Sequence, residues 1–78
     1  MNNIDVVAQI VCKTLNVSRE KVLLESRFVD DLGGDSLDTV EMILELEDRL
    51  GIEIPEEVAE NLDSVQKVVD YLDSIQVQ

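Results

Sequence analysis

Apolar positions recur at helical spacing in three stretches of the chain. Ile4, Val7, Ala8, Val11 and Leu15 mark one face of an amphipathic helix of about four turns over residues 3 to 15, ended by Asn16 and Val17. Val65, Val68, Val69, Leu72 and Ile75 repeat the pattern near the other end, with Asp63 and Ser64 as N-cap candidates. Ile54-Pro55-Glu56-Glu57 places Pro at a permitted first helical position with acids in the first turn, which predicts a short connector helix to about Leu62. No segment shows the sustained two-residue alternation of a half-buried strand. Between Asn16 and Asp35 no period is visible, yet Ser18-Arg19-Glu20-Lys21 suits a helical turn. Val22, Leu23, Leu24, Phe28, Val29 and Leu32 are expected to pin this loop to the core. The pattern predicts an all-α fold, a small four-helix bundle with one short helix and a long first loop.

The third periodic stretch, residues 36 to 50, has more apolar surface than one core face needs. At ~100° per residue, Met42, Ile43, Leu46 and Leu50 form one stripe and Leu37, Val40 and Leu44 a second, together spanning roughly 220° against the ~100° that a surface helix buries. Either a central helix buries both stripes, or the second is a partner-binding strip. Glu41 and Asp48 on one side and Glu47 on the other would frame that strip with negative charge.

Length and charge narrow the function. A chain of 78 residues makes one domain, residues 1–78, with a limited core. Six Lys and Arg against 18 Asp and Glu leave a net charge of −12, which repels a phosphate backbone, so nucleic acid is not an expected ligand. From residue 30 to residue 60 there are twelve acids and one base, Arg49, a field that attracts basic protein surfaces and weakens with salt. Hydrophobic residues at 45% are ample for folding, and with Phe28 and Tyr71 the only aromatics the core must be aliphatic. The absence of His removes the usual nucleophile pairs and His-based metal sites. Cys12 stands alone, so the chain has no internal disulfide, and a reducing cytoplasm is the expected setting. Neither a signal peptide nor a spanning segment is visible, and a monomer that inserts into no membrane is expected.

Gly33-Gly34-Asp35-Ser36 places two permissive residues before a helix, with Asp35 as N-cap, Ser36 at the first helical position and Asp38 in the first turn. The acids disfavour a free anion there, whereas a phosphate ester attached covalently to the Ser36 hydroxyl would gain from the helix dipole, by about 0.3–1 kcal/mol. An EF-hand frame from Asp30 to Glu41 fails, because Leu32, Gly34 and Asp35 stand where two oxygen ligands and a Gly are needed, and no metal site is expected. Loose screening of the carboxylates by divalent cations remains a separate expectation.

Asp30-Asp31-Leu32-Gly33-Gly34-Asp35-Ser36-Leu37-Asp38-Thr39-Val40-Glu41 resembles the prosthetic-group site of the acyl carrier proteins. The resemblance continues through Ile52-Glu53-Ile54-Pro55-Glu56-Glu57 and Val68-Val69-Asp70-Tyr71-Leu72 and covers nearly the whole chain. It implies a non-enzymatic carrier in which Ser36 receives 4′-phosphopantetheine from coenzyme A through a Mg²⁺-dependent phosphopantetheinyl transferase, the holo-ACP synthase. The thiol of that arm then holds acyl groups as thioesters. It also implies that basic residues of fatty acid synthesis enzymes read Asp35, Leu37, Asp38, Val40, Glu41, Leu44, Glu47 and Asp48. The acyl chain would lie among Val7, Phe28, Val29, Ile43, Leu46, Ile54, Ala59, Leu62, Val68 and Leu72. Gly34 stands where the family often has Ala, which is expected to loosen the turn, and Leu50 replaces a frequent Phe. A free-standing, strongly acidic chain with Asp-Ser-Leu-Asp looks most like the dissociated fatty acid type. The alternatives are a carrier for a polyketide, peptide or other specialised acyl pathway, and an acidic helical adaptor in which Ser36 is only part of a cap. An enzyme with Ser36 as nucleophile lacks a general base.

Overall fold

A computed structural model describes residues 3–75; residues 1–2 and 76–78, the ends of the expected domain, lie outside the described residues. The elements in order are α1 (Asn3–Leu15), a 3₁₀ turn (Arg19–Lys21), α2 (Ser36–Leu50), α3 (Glu56–Ala59) and α4 (Val65–Ile75). Among the described residues there is no strand, and the architecture is the predicted bundle of three substantial helices and one short one. α1 packs against both α2 and α4. Its buried face of Val6, Val7, Ala8, Ile10 and Val11 meets Met42, Ile43 and Leu46 of α2 and Val65, Val68, Val69 and Leu72 of α4 in one aliphatic core. Phe28 and Val22, from the long loop, complete it.

The helix ends follow local chemistry. Asn16 terminates α1 in the left-handed conformation, φ 58°, which Asn tolerates better than most residues. Ser64 opens α4 by accepting the Lys67 N–H on its hydroxyl at 3.3 Å. Pro55 sits one place earlier than the sequence suggests, outside α3 with ψ 147°, and α3 ends at Ala59 rather than Leu62. Glu60 and Asn61 continue as turns whose N–H groups still bond to carbonyls three or four residues back.

Residues 16 to 35 pack as expected only in part. Val22, Phe28 and Leu32 are buried, whereas Leu23, Leu24 and Val29 are exposed. The loop is held largely by backbone bonds: Phe28 N–H donates to Asp63 O, Val65 N–H to Ser26 O and Gln66 N–H to Leu24 O, at 2.9–3.1 Å. Leu23 and Leu24 therefore anchor the loop through their backbones and leave their side chains exposed. Buried Ser26 adds a second set, accepting from Leu23 N–H and donating to Lys21 O. Cys12 is a free, half-buried thiol packed beside the core.

The two stripes of α2 separate in space. Met42, Ile43 and Leu46 are buried, while Leu37, Val40 and Leu44 are more than half exposed, at 67%, 54% and 57%. Leu50 departs from the expected buried stripe and is 36% exposed at the last turn, beyond the reach of the core. A central helix buried on both faces is therefore excluded. Leu46→Ala should lower the free energy of unfolding by about 2–5 kcal/mol in urea titrations, whereas Leu44→Ala should stay within about 0.5 kcal/mol. Equal costs for the two would contradict this division.

Candidate functional site around Ser36

The turn before α2 is built from the backbone outward. Gly33 takes φ 76°, open to solvent and strained for a side chain, and directs the chain into the helix. Gly34 is buried, its N–H donating to Phe28 O at 2.8 Å. A Cβ at position 34 would lie 2.8 Å from Leu15 Cδ2 and 3.1 Å from Phe28 O. Gly34 lets Leu15 of α1 pack directly on the backbone, a close approach with no signature in the local sequence.

Asp35 and Asp38 then form a reciprocal cap. Asp38 N–H donates to Asp35 Oδ1 at 2.9 Å and Asp35 N–H to Asp38 Oδ2 at 3.2 Å. The Thr39 hydroxyl donates to Asp35 O at 3.1 Å. Ser36 thus begins α2, exposed, and among the described residues no group bonds its hydroxyl.

Ser36 also stands at the rim of an apolar groove of about 520 Å³. Phe28, Val29, Ile43, Ile54, Ala59 and Leu62 of the expected acyl-chain set line it. Val7, Leu46, Val68 and Leu72 do not. They belong to the core, each at most 2% exposed. Val40, Leu44 and Glu47, expected only on the docking strip, line the groove as well, as do Thr39, Glu56, Glu60 and Asp63. The site therefore joins an exposed hydroxyl, an aliphatic cavity and an acidic rim. An exposed hydroxyl beside an apolar groove leaves room for a covalently attached arm, so these residues fit the group that the resemblance implies.

Along α2, Asp35, Leu37, Val40, Glu41, Leu44 and Asp48 are exposed and Asp38 is half-buried in its cap. Glu47 is the exception among the acids of the strip. Its carboxylate is turned inward and accepts the Ile54 N–H at 2.7 Å. The wheel carried a signal for this: Glu47 falls between the stripes, ~40° from Ile43 and ~20° from Val40 at ~100° per residue. Lys13 pairs with Glu45 beside Glu41, Leu44 and Asp48 at the edge of the strip, whereas Arg19 with Asp5, Arg27 with Asp30 and Asp31, Lys67 with Asp63, and Arg49 with Gln9 are engaged away from it. Among the described residues no group of three or more acids or thiols is disposed to hold a metal ion, and no helix is long and apolar enough to cross a membrane.

Comparison with known proteins agrees with this arrangement. The family described as the phosphopantetheine attachment site matches residues 5–72. A solved structure from Mycobacterium tuberculosis, described as a candidate acyl carrier protein, superposes with a TM-score of 0.84 at 30% identity, over 91% of this chain and 95% of that one. The chain belongs to the phosphopantetheine attachment-site family. It is accordingly an acyl carrier protein, a non-enzymatic domain that takes the prosthetic group covalently and works with modifying transferases and acyl-handling enzymes.

The cap and the charge both have measurable consequences. Asp35→Ala should cost about 1 kcal/mol of stability through loss of the reciprocal bonds, read as a lower urea midpoint with an unchanged slope. Raising NaCl from low millimolar to 0.15 M shortens the Debye length to about 8 Å and should raise the thermal midpoint. A midpoint that stays flat or falls would show that self-repulsion does not limit the fold.

Proposed function

We propose that residues 1–78 act as one carrier domain in which Ser36 is the attachment point and the cargo is a growing fatty acyl chain. The observation that carries this reading is the placement of one exposed, unengaged serine hydroxyl at the mouth of an aliphatic groove and at the start of an anionic helix. When bound, 4′-phosphopantetheine supplies a terminal thiol that holds acyl groups as thioesters. The chain's own residues do the rest. Asp35 and Asp38 hold the serine at the helix start. Phe28, Val29, Ile43, Ile54, Ala59 and Leu62 offer the alkyl chain an apolar lining, worth roughly 25 cal/mol per Å² removed from water.

Asp35, Leu37, Asp38, Val40, Glu41, Leu44, Glu47 and Asp48 form the face that basic partners read, first a phosphopantetheinyl transferase and then the enzymes of fatty acid synthesis. Exposed charge pairs give fast, salt-sensitive encounters of modest strength, which suits a carrier that must release each partner. The lone free thiol agrees with a reducing cytoplasm as the place of work.

Incubation with coenzyme A, Mg²⁺ and a broad-specificity phosphopantetheinyl transferase should add one phosphopantetheine to the intact mass. Ser36→Ala should add none while keeping its helical circular dichroism; an increment in the variant would move the site elsewhere. Glu41→Lys should slow fatty acid synthesis enzymes about tenfold or more at low salt by reversing a rim charge, with the difference shrinking as salt rises. Rates equal to wild type would remove Glu41 from the docking face.

A further inference from the structure

Glu41, Glu45 and Asp48 recur along α2 at spacings of four and three and so share one side of the helix. Lys13 of α1 faces that side. It stands in the last turn of α1, where the carbonyl end of a helix favours a cation, and its Nζ lies 3.3 Å from Glu45 Oε2. With Thr14 and Leu44, these four charged residues line an open cleft between the two helices. Arg49, the base within α2 itself, is bonded to Gln9 instead. Among the described residues, Lys13 is therefore the base that stands at this edge of the exposed strip.

The Lys13 side chain is 72% exposed and that of Glu45 34%, and a pair this open to water is held weakly. Its ammonium nevertheless offsets one of three negative charges at the place where a partner's Arg or Lys would meet Glu41 and Asp48. Building on the reading of α2 as the docking helix, we propose that Lys13 is a built-in competitor for the bases of docking partners and so a specificity-determining residue of that face. A base that lands between Glu41 and Asp48 either meets the ammonium or displaces it from Glu45. Bases that read Asp35 and Asp38 escape it. Asp38 lies seven residues before Glu45, about 10 Å along the helix at 1.5 Å per residue, beyond the Debye length of about 8 Å at 0.15 M salt. Lys13 thus slows partners that use the α1 edge of the strip and spares those that use its start.

The test is the association rate of the whole chain with a fluorescently labelled phosphopantetheinyl transferase, supplied without coenzyme A and followed by stopped flow at 0.15 M salt. Lys13→Gln should associate about two- to threefold faster than wild type, the effect of one rim charge on an encounter rate. Glu45→Gln leaves the ammonium unpaired and should slow association by a similar factor, and the double variant should return close to wild type. Lys21→Gln changes the net charge equally on the exposed 3₁₀ turn and should leave the rate unchanged. At about 1 M salt, where the Debye length falls to about 3 Å, the gain in Lys13→Gln should vanish; a gain that persists marks a structural effect and overturns the proposal. So does a Lys13→Gln rate equal to or below wild type. Glu41→Gln separates the two readings. If it slows association while Lys13→Gln gives no gain, the docking face stands and the competitor falls; if neither variant moves the rate, or the transferase does not bind, both fall. The phosphopantetheine mass increment on Ser36 reports on the carrier reading independently of Lys13.

Discussion

The arrangement depends on the burial of one stripe of α2 against α1. Met42, Ile43 and Leu46 leave water on one side of the helix, each contributing about 1.5–3 kcal/mol, and their burial fixes the rotation of α2 about its axis. Once that rotation is set, Leu37, Val40 and Leu44 must point outward, and the acids beside them must ring an exposed apolar strip. Ser36, at the first position of the same helix, is then held at the rim of the gap between α2 and α3. Packing on one face therefore creates the presented surface on the other.

A net charge of −12 opposes a domain this small, and the distribution of bases shows how the fold accommodates it. Lys13 pairs with Glu45 of α2, Arg19 with Asp5 of α1, Arg27 with Asp30 and Asp31 of the long loop, and Lys67 with Asp63 just before α4. Arg49, the base within α2, turns back to Gln9 of α1. Lys13 lies beside Glu41, Leu44 and Asp48 at one edge of the exposed strip, and the other paired bases are engaged elsewhere. The exposed pairs contribute little stability individually, so the aliphatic core carries the fold.

The groove arises from the shortness of α3 beside α2. α3 is only four residues long and is preceded by an extended turn through Ile54 and Pro55. It spans the gap beside α2 without filling it, and Ile54, Ala59 and Leu62 meet Ile43 and Phe28 across the space. The wall on that side is held to α2 by the Glu47 carboxylate, a polar tie in an otherwise apolar lining.

Local sequence by itself determined the number, order and approximate bounds of the helices, the Asp35 cap, the start of α2 at Ser36 and the two-stripe character of that helix. All of these follow from helical spacing and side chains that act within one or two turns. It also determined that a serine in this setting resembles an attachment site. Tertiary structure alone decided which stripe is buried, that Leu23, Leu24 and Val29 stay exposed, and that Val7, Leu46, Val68 and Leu72 belong to the core rather than to the groove lining. It alone placed Leu15 against Gly34 and the Glu47 carboxylate on the Ile54 amide. The physical reason is range: periodicity reports that a residue is apolar and on which side of its own helix it lies. Which neighbour covers that side, and where two elements fail to close on each other, depends on contacts between residues far apart in the chain.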